Sequence, residues 1–430
     1  MSATRNLLDF AAATHRLPEA ARADAIRLLT DTLAVGAAGS TAPGAEGVFQ
    51  TTKMSGTGEE ARLLGRSEHL PAPSAAYVNG FQIHCLEWDA VHEGAVVHAL
   101  SVVTAALQAV IDRRGGCDVD DALLALAIGV DIASGLGIAA DSALSFFRPA
   151  TAGLIGAALA VARIEGLSRS QFNDVLGLAY SHCAGTMQAH VEGSIALPLQ
   201  IANAARAAVQ VVDLVKHGLT GPHDVLEGPF GYFKLIDQGD LSRYTTTLGT
   251  VWRISEVSTK PYPCGRASHA ALGFLADLEL DVGYVEKVIA IVPPLVHRLV
   301  GRQIIEDMTP AYARLCLPLL VALMLTDNAI NPHRFKPETF SNPAILDLAN
   351  RVTLTVDDSI DPNALSPQRL HIYIVGGGVF EVELPNMLGS PAEPLSPQQI
   401  DAKRDLCEAL TAHINRRLFD NPLAYFTEPQ

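Results

Sequence analysis

The sequence predicts a mainly α protein of two domains, a large all-helical one and a smaller α+β one. Three observations lead there. The chain has 430 residues, more than a single hydrophobic core usually fills, since such cores stop growing near roughly 250–300 residues. Apolar residues recur at helical spacing, among many Ala and Gly, through the first 255 positions. Alternation of the β type starts only beyond that point and yields to a helical pattern after 390. The expected organisation is a helical domain at 1–255, completed by 391–430, and an α+β domain at 256–390.

In the segment 18–39, Ala21, Ala25, Leu28, Leu29 and Leu33 share one face; Pro18 suits a first helical turn and Gly39 a stop. Residues 98–113 and 121–140 are apolar enough to be buried on most sides. The stretch 123–140 has marginal length for a membrane span, but Asp131, Ser134 and three glycines make it a buried helix instead. Ser168 and Gln171 have capping-box spacing ahead of a helix running toward Tyr180. The Ala-rich stretch 195–216 reads as a helix that Gly218 stops.

Beyond 255, segments 284–294 and 351–358 read as strands, and 369–384 as two strands joined by a Gly turn. Helical patterns lie between them at 266–279 and 309–327. Ser396, Pro397 and Gln399 mark the start of a last helix over 397–417, expected to return to the helical domain. Residues 40–60 and 328–345 read as loops. The Gly triplet 376–378 precedes a strand and lacks the G-x-G-x-x-G spacing, so a dinucleotide loop is rejected.

Lys and Arg number 31 against 46 Asp and Glu, a net charge of −15. No basic run is present, which argues against nucleic acid or an anionic membrane as partner. The six cysteines stand far apart without a C-x-x-C pair, as expected of reduced thiols in a cytoplasmic chain. The N-terminus has no long apolar stretch of the secretory type.

Chemistry concentrates in HCLEWDAVHEGAVVH (84–98), which holds His84, Glu87, Asp89, His92, Glu93 and His98. Three readings apply. A metal site is one, but histidine spacings of 8 and 6 match no compact ligand signature. A solvated helix end is the second. The third is acid–base work, in which a carboxylate orients an imidazole that titrates near neutrality. His84 and Glu87 share a face if the helix entering the cluster continues, and a new helix is expected to begin near His98.

In KPYPCGRASHAALGFLADL (260–278), two prolines fix a non-helical entry, and Lys260, Tyr262, Arg266 and His269 gather about a helix start, an arrangement that favours anions. Arg148, before Pro149 and a small-residue helix, suits bidentate carboxylate recognition. For both segments the alternative is a surface turn with solvated cations.

VNGFQIHCLEWDAVHEGAVVHALSVVTAAL (78–107) resembles the MmgE/PrpD family stretch NG-x-x-x-H-x-L-D-[FY]-D-D-T-H with its second His. FFRPATAGLIGAA, GLTGPHDVLEGPFGYF, KPYPCGRASH and LGSPAEPLSPQQIDAK resemble later motifs of that family, in the same order and over nearly the whole chain. The family includes 2-methylcitrate dehydratase, cis-aconitate decarboxylase and iminodisuccinate epimerase. The resemblance implies a cofactor-free enzyme, usually a homodimer, with the α+β domain as a lid and the active site between the domains. Its substrates are small di- or tricarboxylates, and its common step moves a proton beside a carboxylate.

The sequence departs from the family pattern at several places. Glu87 replaces the first Asp; Asp89 is kept; Ala90 and Val91 replace Asp and Thr; Arg148 stands where His usually precedes Pro, and Leu197 where Lys is usual. These changes favour an epimerase- or isomerase-like member, with dehydratase or decarboxylase chemistry as the alternative and an inactive carboxylate-binding paralogue as another. The resemblance implies His98 as principal acid–base residue with Asp89 assisting, and Lys260 and His92 as further catalytic candidates. Arg148, Glu87, Tyr262, Arg266 and His269 are the expected substrate-binding residues, and neither a metal nor a cofactor is expected.

Overall fold

The computed structural model describes residues 2–13, 15–278 and 280–429. Its helical part is built on Glu19–Ala38, Ala72–His84, Ala99–Arg113, Val119–Ala139, Arg148–Ile164, Gln171–Ser181 and Ala196–Lys216. Small residues decide how closely these helices pack. A Cβ added at Gly156 would stand 2.3 Å from the Gly129 carbonyl oxygen, so Val119–Ala139 and Arg148–Ile164 cross with their backbones nearly touching. Val119–Ala139 is long and apolar enough to cross a membrane, yet 94% of its apolar window is buried within the protein.

Two hydrophobic cores divide the described residues. One runs from Leu7 to Val257 and takes in Cys407–Phe426; the other runs from Cys264 to Met387. The second core covers a four-stranded sheet in the order Val352–Val356, Val285–Val292, Gln368–Ile374, Val379–Leu384. The first pair is parallel and the others antiparallel. The Gly triplet forms the last turn, with all three φ angles positive. Helix Pro397–Leu410 starts with the complete Ser396–Gln399 capping box and packs on Glu19–Ala38.

Several expectations change. The pattern at 309–327 is two helices, Pro310–Ala313 and Leu317–Asp327, because the chain bends at 314–316 and restarts with Pro318 in its first turn. The last long helix ends at Leu410, short of 417. The pattern at 266–279 opens as a 3-10 turn and becomes α-helical only over His269–Ala276. The expected loops contain helices, Ala45–Lys53 in one and Pro337–Phe340 in the other. Of the Ser168–Gln171 box only one half forms: the Gln171 side chain accepts from the Ser168 N–H, and Ser168 does not cap the helix in return.

Candidate active site

Helix Ala72–His84 stops at His84, and Ala99–Arg113 starts directly after His98. The loop between them carries the acids. Glu87 lies off the helix with φ +54°, a left-handed conformation costly for a residue with a Cβ. That turn aims its carboxylate at the wholly buried Lys260, whose Nζ donates to the Glu87 carboxylate at 3.2 Å and to its carbonyl oxygen at 3.0 Å. The helix does not continue through Glu87, contrary to the shared-face expectation.

Asp89 is the hub. One of its oxygens, Oδ2, accepts from His84 Nδ1 at 2.9 Å, from His98 Nδ1 at 3.0 Å and from the Ser101 hydroxyl. Burial raises the Asp89 pKa, but the two imidazoles outweigh it and hold the carboxyl well below the usual range. An ionised carboxylate only accepts, so both rings place their Nδ1 hydrogens on it and turn Nε2 elsewhere. The three side chains offer ligand atoms within 4.8 Å of one another. With both Nδ1 atoms donating to Asp89, Nε2 is the nitrogen each ring has left for other chemistry.

The two imidazoles are shifted in opposite directions. Burial opposes protonation of His84, yet Asp89 and Glu87 overcome it and raise its pKa. For His98, burial together with the Lys260 and His84 charges prevails over Asp89 and lowers it. Glu87 is pulled down to about 2: burial raises it, but Lys260 and the two histidines prevail. The two imidazoles, 4.9 Å apart between ring centres, thus share one carboxylate while their surroundings push them in opposite directions.

Both rings and Glu87 line a cavity of about 70 Å³ between the two cores, with Phe147, Met187 and Leu197 from one core and Leu299, Val300 and Leu315 from the other. Arg148 and Arg266 also reach it. Arg148 is already clamped by Asp237, at 3.0 Å from Nε and 3.1 Å from Nη2. Arg266 donates to Glu93 at 2.8 Å and to the carbonyl oxygens of Leu388 and Met387.

His92, Tyr262 and His269 do not line the cavity. His92 Nδ1 accepts from the Ala95 N–H, so Nε2 carries the hydrogen and donates to Glu256 at 2.9 Å. His269 is wholly buried in the turn it closes, its ring nitrogens 3.1–3.2 Å from the carbonyl oxygens of Tyr262, Gly265 and Arg266. Tyr262 packs against the His269 ring, 5.6 Å between centres. Their neighbours give all three a structural task away from the cavity.

The structure adds His84, Ser101, His190 and Asp237. Ser101 stands three residues after His98, on the same face of a first helical turn, which is a readable spacing. Asp237 lies 89 residues from Arg148, with no local signal linking them.

The chain thus combines a helical domain, an α+β domain and a buried imidazole–carboxylate cluster beside the cavity between them, the framework of an enzyme. The chain belongs to the MmgE/PrpD family: the MmgE/PrpD N-terminal domain matches residues 6–244 and the C-terminal domain residues 262–417. It is similar to cis-aconitate decarboxylase of Homo sapiens, 25% identical over 421 residues that span 92% of this chain and 86% of the relative. The Mus musculus protein of the same name is 24% identical over 88% of this chain and 80% of its own length. One from Aspergillus terreus is 24% identical over 90% and 85%.

Proposed function

We propose that this chain is a lyase that removes water or carbon dioxide from a small di- or tricarboxylic acid by moving a proton beside a carboxylate. The observation that carries this reading is the geometry of two imidazoles that donate to one Asp89 oxygen and both line the cavity, in surroundings that push their pKa values in opposite directions, as an acid and a base require. The relatives named as decarboxylases favour the elimination or decarboxylation that the sequence offered as its alternative over the epimerase-like chemistry it put first.

In a dehydration, neutral His98 takes the proton from the carbon beside the carboxylate. The C–H electrons form the double bond, and the hydroxyl leaves as water with the proton of His84. In a decarboxylation, the electrons of the broken C–C bond delocalise into the conjugated acid, and a histidine returns a proton to carbon. Asp89 keeps both rings oriented and offsets the charge of the cationic one. Lys260 stands behind Glu87 and not on the cavity wall, and its charge offsets that of the Glu87 carboxylate there.

A proton NMR time course in D₂O, with a panel of hydroxy- and unsaturated di- and tricarboxylates, tests the reading. New or shifted olefinic signals with or without released CO₂ are expected. Proton exchange or a new diastereomer with neither change would return the assignment to an epimerase. His98→Asn should lower kcat by about 10²–10⁴; an unchanged rate removes His98 from the proton path.

A further inference from the structure

On the reading that this cavity binds a carboxylic acid, two neighbouring atoms of its wall point to one chemical group of the substrate. His84 and Glu87 both line the cavity. His84 places Nδ1 on Asp89, and its Nε2 is buried with no hydrogen-bond partner among the described residues. Glu87 gives Oε2 and its carbonyl oxygen to Lys260, which leaves Oε1. Nε2 and Oε1 stand 3.6 Å apart, too far for a hydrogen bond to each other.

The other charged groups of the wall have partners. Arg148 donates to Asp237 and to the Ala95 carbonyl oxygen, and Arg266 to Glu93 and two carbonyl oxygens. His190, also on the wall, brings no charge: burial, then the Arg302 cation, takes its pKa down to about 4. At the His84–Glu87 pair the requirements are specific. Burial raises the Glu87 pKa, but Lys260 and the two histidines bring it down to about 2, so this carboxylate only accepts. Burial opposes a second hydrogen on His84, yet Asp89 and Glu87 favour one, and Nε2 is the atom that carries it. A hydroxyl answers both atoms, since it donates one hydrogen and accepts another through its lone pairs. An oxygen at about 2.8 Å from each fits the gap. A carboxylate has no hydrogen for Glu87, and a substrate without a hydroxyl would take Oε1 out of water and give it no donor.

We infer that His84 and Glu87 bind a hydroxyl of the substrate, which makes it a β-hydroxy di- or tricarboxylate and its reaction the loss of water, not of carbon dioxide. His98 Nε2 takes the proton from the carbon beside the carboxylate. The C–H electrons form the double bond, and the C–O bond breaks with its electrons on oxygen. His84 Nε2 delivers the proton that turns the leaving hydroxyl into water, and Glu87 holds that water by the hydrogen it already accepts. The step ends with His98 protonated and His84 neutral.

Two pairs of probes differ only in the hydroxyl: 2-hydroxysuccinate against succinate, and 2-hydroxypropane-1,2,3-tricarboxylate against propane-1,2,3-tricarboxylate. Calorimetric titration of full-length His98→Asn, which slows turnover, should give the hydroxy acid of at least one pair a Kd lower by about tenfold or more, the scale of a hydrogen bond to a charged group. Equal or weaker binding of both hydroxy acids overturns the inference, as does no binding of any probe to the folded variant. In the same background, Glu87→Gln keeps its amide oxygen on Lys260, which only donates, and turns its N–H toward His84. The preference should then shrink by about tenfold; an unchanged preference overturns the placement. The wild-type NMR time course stands even if the variants fail to fold. It should show hydroxy acids giving olefins, and unsaturated acids gaining water, with no CO₂ from either. Release of CO₂ from an unsaturated acid overturns this inference and leaves the lyase reading standing. That reading falls on a different result, no olefin change and no CO₂ from any acid in the panel.

Discussion

His84 and His98 donate to the same carboxylate oxygen, yet their environments set them apart. His84 lies 3.6 Å from the ionised Glu87, which favours its cation, whereas His98 feels Lys260 and the charged His84. The signs give a bell-shaped pH profile for kcat. The rate climbs as pH rises through the lowered pKa of the base, His98, and declines as pH passes the raised pKa of the acid, His84. His84→Asn should lower kcat by about 10²–10⁴ and remove the alkaline limb while leaving the acid limb. If the alkaline limb persists, another group supplies the acid. At this scale the cluster 84–98 was legible because the residues that meet are close in sequence. Asp237 and His190 were not, because only the helical packing brings them near. His92 and His269 carried the right chemistry in the right segments, but Glu256 and a local turn take up their ring nitrogens, and Tyr262 packs against the His269 ring.

Among the elements, helix Pro397–Leu410 reaches furthest. Its start was legible because capping chemistry is local; what it touches was not, since its partner helix lies more than 350 residues earlier. From this helix Lys403 pairs with Asp31 at 2.6 Å and donates to the Trp88 carbonyl oxygen at 3.2 Å. Trp88 stands between Glu87 and Asp89, and its indole N–H donates to the Pro261 carbonyl oxygen, next to Lys260. The returning helix therefore braces both strands of chain that carry the site. Lys403→Met strips the buried Asp31 of its cation and should cost about 3 kcal/mol, a value for breaking such pairs. Urea denaturation measures it, and Asp31→Asn in the same background should restore part of the loss. Well below the unfolding transition, kcat of Lys403→Met should drop about tenfold with KM little changed, as expected when catalytic groups lose alignment. Wild-type kcat in the folded variant would limit Lys403 to stability.

Over the whole molecule, the change of pattern near 255 was legible because helical and β-sheet cores demand different periodicities. How the two cores meet was not, because their polar ties join distant residues. The chain also crosses between them twice: the C-terminal family domain extends to 417, yet the helix within it at Pro397–Leu410 packs on the N-terminal core. One tie faces the cavity directly. Arg266, from the α+β domain, donates to Glu93, from the helical one, and Glu93 also accepts from the Ser258 hydroxyl at 2.5 Å. This pair holds the two cores together beside the cavity that both residues line. Arg266→Met and Glu93→Gln should each raise KM, and should be coupled in stability. A double-mutant cycle should give a coupling on the order of 1–3 kcal/mol, toward the lower end because the Glu93 side chain keeps 24% of its exposure. Strictly additive losses would show that the contact between the cores rests on apolar packing alone, and that the Arg266–Glu93 pair acts only on the charge balance of the cavity.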